Sequence, residues 1–179
     1  MIRLPTQFDD VWIMRPTIYG DERGYFYESY QQKFIEEQVG KINFVLEFQS
    51  YSNHNVVRGL HYQTNPFAQS KLVKVIQGKV MDIIVDIRKS SPNFGKHLAI
   101  ELSDETHDSI FIPKGYAHGF IVLSDYAIMN YKLDNIYSPQ HYTGINILDP
   151  QLNISFIHEH PIISQKDAAL PLLNDAQLF

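Results

Sequence analysis

Short runs of β-branched and aromatic residues, each closed by a turn signal, constrain the fold of this chain more than any other feature. The pattern predicts strands at Val11–Tyr19, Tyr25–Tyr30, Asn43–Ser52, Val56–Gln63, Lys71–Ile87, His97–Leu102, Ser109–Ile112, His118–Leu123 and Ala127–Leu133. Between them stand Gly20-Asp21-Glu22-Arg23-Gly24, Asn65-Pro66, Gln77-Gly78-Lys79, Ser91-Pro92-Asn93, Pro113-Lys114-Gly115 and Ser124-Asp125, all rich in turn formers. One helix is expected near Gln31–Val39, and short helices after Asp149-Pro150. Many short strands at close spacing point to an all-β sandwich or barrel. The 179 residues suit a single domain spanning 1–179, with an irregular or helical segment from about 150 packed outside, and a 44% hydrophobic content supplies its core.

Alternation assigns faces. Met81, Ile83, Val85 and Ile87 share one apolar face. Lys71 shares its face with Val73 and Val75, Tyr131 with Ala127 and Met129, and His118 with Phe120 and Val122. A lysine, a phenol and an imidazole on otherwise apolar faces suit a barrel interior that is part packed and part polar. Arg58 and His61 differ in parity, so a regular strand sends them to opposite faces. A bulge at Gly59 would re-aim both toward one pocket.

Composition removes several chemistries. The net charge of −5 argues against a broad nucleic-acid surface, while local cations still allow an anionic small ligand. The absence of cysteine excludes thiol nucleophiles, disulfides and thiolate metal sites. No leader-like segment opens the chain and no apolar run approaches membrane-spanning length, so a cytoplasmic protein without membrane contact is expected. No His-x-His motif followed by a nearby Glu is present; His158-Glu159-His160 has ligand spacing on paper but sits in a polar tail. Phosphate loops, dinucleotide fingerprints and a nucleophile elbow are all missing. Proton transfer remains. His61 is a base near neutrality, Tyr131 a weak acid, and Lys71 and Arg58 are cations suited to developing negative charge.

These residues stand within Gly20-Asp21-Glu22-Arg23-Gly24-Tyr25-Phe26-Tyr27-Glu28, Val57-Arg58-Gly59-Leu60-His61-Tyr62-Gln63, Gln69-Ser70-Lys71, Ala117-His118-Gly119-Phe120, Tyr131-Lys132, Tyr137 and Ser164-Gln165-Lys166-Asp167. From about residue 3 to 174 the chain resembles the nucleotide-sugar 3,5-epimerases typified by dTDP-4-dehydrorhamnose 3,5-epimerase, a metal-free branch of the cupin fold. The resemblance implies a cupin-type jelly roll needing no cofactor or metal. It implies inversion at C3 and C5 of a nucleotide-linked 4-keto-6-deoxy sugar, with one-centre enzymes and a non-catalytic sugar-binding barrel as alternatives. His61 is implied as general base, Asp167 as its partner from the C-terminal segment, Tyr131 as the opposed acid and Lys71 as enolate stabiliser. His118 is expected near the sugar, Arg58 and Arg23 at the diphosphate, and Glu28, Phe26, Phe48, Tyr137 and Lys166 around the rest of the substrate. A homodimer with N-terminal strand exchange is also implied, so that Arg23 and Glu28 serve the neighbouring pocket.

Three departures accompany this resemblance. The family's usual Gln-Asp-Asn run reads Leu46-Glu47-Phe48 here, a usual Glu is Tyr142, and a usual aromatic is Ile147. By analogy all lie at the nucleotide or the rim. Phe48 is expected either to stack on a base or to pack. Retained proton chemistry with altered recognition is the simplest implication, leaving GDP- and CDP-linked sugars open beside dTDP.

Overall fold

The computed structural model describes residues 1–155 and 160–179. Its N-terminal strands are β1 (Ile2–Pro5), β2 (Trp12–Arg15), β3 (Ile18–Asp21) and β4 (Gly24–Tyr27), followed by α1 (Gln32–Val39). Then come β5 (Leu46–Asn53), β6 (Val56–Gln63), β7 (Lys71–Gln77), β8 (Lys79–Asp86), β9 (His97–Ser103), β10 (Ser109–Ile112), β11 (Tyr116–Val122) and β12 (Tyr126–Leu133). Two short strands, β13 (Tyr142–Gly144) and β14 (Ile162–Ile163), and a four-residue helix, α2 (Gln165–Ala168), complete the regular structure apart from 3₁₀ turns.

One sheet runs β1-β2-β10-β7-β12-β5. The other runs β13-β6-β11-β8-β9, with β14 added beside β6. All pairings in these sheets are antiparallel except that of β14. Residues from both inner faces form one core: Val73, Val75, Ile110, Met129 and Tyr131 from the first sheet, with Val80, Ile84, Leu98, Phe120 and Val122 from the second. This is the expected jelly roll, with its interior between the two sheets.

Two outer clusters explain why many strands are apolar on both faces. Trp12, Met14, Leu72 and Phe111 turn outward from the first sheet and are covered by Ile35 and Phe34 of α1. Val57, Leu60, Tyr62, Ile83, Val85 and Ile121 turn outward from the second. Leu152, Leu173, Leu178 and Phe179 of the C-terminal segment lie over them.

Some boundaries differ from expectation. Val11–Tyr19 breaks at Pro16-Thr17, and its halves join different sheets. Lys71–Ile87 breaks at Gly78, where the chain crosses from one sheet to the other. Gly78 has φ +87°, and a Cβ there would lie 2.2 Å from the Tyr126 carbonyl oxygen, so only glycine fits the crossing. Strands β1, β13 and β14 are too short or too polar to have shown periodicity.

Candidate active site

The bulge at Gly59 builds the site. On β11, His118 pairs with His61 and Phe120 with Arg58, so three steps along β6 span two along β11. The outward residues of β6 accordingly switch parity, from Val57 to Leu60 and Tyr62. Arg58 and His61 are thereby brought to the same inner face and line one pocket of about 430 Å³. Gly59 has φ +113°, and a Cβ there would sit 2.6 Å from Gly119 Cα. Both glycines are required by this close backbone approach.

His61 and His118 come from one sheet, while Lys71 and Tyr131 come from the other. Phe48, Tyr137, Tyr142 and Lys166 also line the pocket. His61 Nε2 lies 2.8 Å from Asp167 Oδ1, and the Gly59 N–H donates to Asp167 Oδ2 at 3.2 Å. Asp167 is held by its position in α2, whose N-cap Ser164 Oγ accepts from the Asp167 N–H at 3.0 Å. Burial opposes ionisation of Asp167, but hydrogen bonds and charge from His61, Gly59 and Ser164 outweigh it and lower its pKa. An acceptor-only carboxylate places the proton of neutral His61 on Nε2 and leaves the Nδ1 lone pair free for chemistry.

Lys71 Nζ donates to the His61 carbonyl at 3.0 Å, linking the two sheets. Burial lowers its pKa to about 8, and the charge of Asp82 limits the fall. His118 Nε2 is 2.8 Å from Asp82 Oδ1. Burial lowers the His118 pKa despite Asp82, with Lys71 and His61 adding to the effect, so His118 is neutral near pH 7. Asp82 is fully buried, and among the described residues its Oδ2 atom has no hydrogen-bond partner. Tyr131 is 7% exposed, and burial raises its pKa against the opposing influences of Ser50 and Arg58. Its phenol is therefore a protonated donor throughout the neutral range. Arg58 is anchored by Nε to Ser52 Oγ at 2.8 Å and by Nη2 to the Tyr51 carbonyl at 3.0 Å.

The other expected residues lie elsewhere. Arg23 pairs with Asp21, and Phe26 is 64% exposed and stacked on Tyr19. Both line a separate shallow depression on the β3–β4 hairpin, and Glu28 is exposed just beyond it. Within one chain, then, Arg23, Phe26 and Glu28 are not brought to the pocket. The expectation that all three departures lie at the nucleotide or rim is corrected for Ile147. It is 2% exposed and packs in the outer cluster beneath the C-terminal segment. Phe48 stacks on Tyr131, and Tyr142 packs against His61 with Lys166 Nζ 4.4 Å from its ring centroid.

Asp82 and Ser50 escaped the sequence reading. Asp82 carried a usable signal, because alternation places it on the interior face between Val80 and Ile84. Ser50 carried none. Among the described residues no group of three or more His, Cys, Asp or Glu side chains is arranged to hold a metal ion. The His158-Glu159-His160 spacing involves His158 and Glu159, which lie outside the described residues. No described helix is long and apolar enough to cross a membrane.

A jelly roll whose interior opens on a histidine–carboxylate pair, a buried lysine and a buried phenol defines a cupin-fold protein equipped for acid–base chemistry. The family profile of dTDP-4-dehydrorhamnose 3,5-epimerase matches residues 5–175. A dTDP-4-dehydrorhamnose 3,5-epimerase of Shigella flexneri is 47% identical over 98% of this chain and 98% of its own. The dTDP-6-deoxy-D-glucose-3,5-epimerase of Legionella pneumophila, solved with dTDP-4-keto-L-rhamnose, superposes with a TM-score of 0.94 at 47% identity, covering 98% of this chain and 94% of that one. The Bacillus anthracis dTDP-4-dehydrorhamnose 3,5-epimerase, solved with TDP and pyrophosphate, gives 0.92 at 42% identity over 96% and 98%. The chain belongs to the dTDP-4-dehydrorhamnose 3,5-epimerase family, a family of isomerases.

Proposed function

We propose that this chain inverts C3 and C5 of dTDP-4-keto-6-deoxyglucose, giving dTDP-4-dehydrorhamnose for rhamnose biosynthesis, by proton removal to His61 and proton delivery from Tyr131. Both carbons flank the C4 ketone, so each C–H is acidified by delocalisation of its electron pair into the carbonyl oxygen. His61 Nδ1 takes the proton from one face, and Asp167 stabilises the imidazolium that forms. The electron pair moves to the C4 oxygen as an enolate, which Lys71 stabilises as a cation and His118 borders. The Tyr131 hydroxyl delivers a proton to the opposite face, inverting the centre. Solvent then removes the proton from His61 and restores that of Tyr131. No electrons are gained or lost overall. Arg58 binds the diphosphate, and Tyr137 and Lys166 border the nucleotide, supplying remote binding energy that positions the ring.

One observation carries this reading: His61 and Tyr131 enter one pocket from opposing sheets. A substrate ring lying between those sheets has an imidazole on one side and a phenol on the other. The nucleotide follows the relatives, whose bound ligands are dTDP-4-keto-L-rhamnose, and TDP with pyrophosphate. The exposed β3–β4 hairpin suits a second copy of the chain, to whose pocket Arg23, Phe26 and Glu28 contribute in a homodimer. The reaction belongs in the cytoplasm, where nucleoside triphosphates supply such sugar donors.

Incubation with dTDP-4-keto-6-deoxyglucose in D₂O, followed by NMR, tests the reading. Deuterium is expected at both C3 and C5 of the inverted product. His61→Asn lowers deuterium entry by about 10²-fold or more, the scale of a lost general base. Wild-type entry in that variant removes His61 from its role, and entry at C3 alone reduces the protein to a one-centre epimerase.

A further inference from the structure

The inner face of β5 presents Leu46, Phe48 and Ser50 at alternate positions, and all three line the pocket. Phe48 stands directly opposite Tyr131 in the β5–β12 ladder, and Val73 flanks Tyr131 on the other side. The Phe48 and Tyr131 rings stack with centroids 4.6 Å apart and planes 18° from parallel. His118 meets Tyr131 edge-on, with centroids 6.3 Å apart. Phe48 is nonetheless 45% exposed, whereas its partner is 7% exposed. One part of the ring therefore covers the phenol while the rest faces the pocket mouth.

This arrangement matters because core packing holds Tyr131 from the interior side, whereas Phe48 covers it toward the pocket mouth. The second side-chain torsion of tyrosine is soft, so neighbours decide the ring plane. Among the described residues its hydroxyl has a single hydrogen-bond contact, to Ser50 Oγ at a long 3.3 Å. An aromatic plate against one face restricts the tilt that the Ser50 contact leaves open.

We propose that Phe48 is a positioning residue for the reaction, fixing the plane of the Tyr131 phenol so that its proton reaches the ring face opposite His61. The inference rests on the proposed role of Tyr131 as the acid. It assigns Phe48 to stereochemical control of the second half of the reaction. Proton removal by His61 is independent of Phe48. When the stack is lost, the enolate survives longer, the His61 imidazolium exchanges its proton for a solvent deuteron, and that deuteron returns more often to the face from which the proton left. Deuterium then enters without inversion.

The test compares Phe48→Leu with Phe48→Tyr, using dTDP-4-keto-6-deoxyglucose in D₂O and NMR to read deuterium entry and inverted product separately. Deuterium entry itself reports a folded, base-competent site, so misfolding and mispositioning separate. Phe48→Leu is expected to raise the ratio of exchange to inversion about tenfold, the scale of one lost ring contact. Phe48→Tyr, which keeps the stack, is expected to hold the wild-type ratio. A wild-type ratio in Phe48→Leu, or an equal rise in both variants, overturns the inference. Tyr131→Phe is run alongside. Wild-type inversion in that variant shows that the acid itself is wrongly assigned, and the inference falls with it. Lost inversion in Tyr131→Phe with a wild-type ratio in Phe48→Leu removes Phe48 alone.

Discussion

Lys71 carries the clearest pH signature in the site. An enolate is stabilised by the ammonium form, and burial brings the lysine pKa down to about 8. Below that value the side chain is charged and effective, and above it the charge is lost. The rate of deuterium entry should therefore fall as pH rises through about 8, a limb that a solvent-exposed lysine would show only above pH 10. Asp82→Asn removes the charge that supports the ammonium form and should move this limb to lower pH; an unmoved limb in that variant would separate Asp82 from Lys71. Lys71→Gln should lower the rate on the order of 10²-fold to 10³-fold, as expected for a lost oxyanion partner, and abolish the limb. At this scale the sequence was informative where an ionisable residue interrupted an apolar face, as with Lys71, Tyr131 and His118. Asp82 obeys the same rule, standing between Val80 and Ile84 on the interior face. The Phe48–Tyr131 stack was not readable, because it depends on which strands become neighbours.

Gly59 decides whether the site exists at the level of the strand. Its positive φ and the approach of Gly119 Cα leave no room for a Cβ. Gly59→Ala should cost about 2–4 kcal/mol of stability, combining backbone strain with a core clash. The measurement is the shift in the denaturation midpoint, accompanied by loss of deuterium entry because Arg58 and His61 no longer share a face. An alanine variant with wild-type stability and activity would show that the bulge is dispensable. Parity alone exposed this feature, since two pocket side chains three residues apart in a strand, Arg58 and His61, cannot face one way without an irregularity. The same periodicity failed at Val11–Tyr19 and Lys71–Ile87. Each run contains a change of sheet, and a pattern buried on both faces does not report which sheet it joins.

For the whole molecule, the two opposing sheets bring His61 and Tyr131 into one pocket from different sides. The strand content and the all-β sandwich-or-barrel class were legible from turn spacing and the jelly roll only from the family resemblance, whereas sheet order and the covering of each outer face depend on long-range pairing. The C-terminal segment links fold and site, since it covers the second sheet and also delivers Asp167 to His61. The exposed β3–β4 hairpin belongs to this scale too. If it serves a second copy, Arg23→Ala should raise KM for the dTDP-sugar several-fold while leaving the exchange-to-inversion ratio unchanged. Mixing Arg23→Ala with His61→Asn chains should then restore some pockets that contain both intact residues. No recovery above the separate variants, in mixtures proven to exchange subunits, would place Arg23 outside any shared pocket. The most direct measurement for the whole account is a crystal structure with a dTDP-linked hexose bound. The account predicts His61 Nδ1 on one face of the sugar ring and the Tyr131 hydroxyl on the other, each within about 3.5 Å of C3 or C5. Both groups on one face, or a ring held away from either, would contradict it.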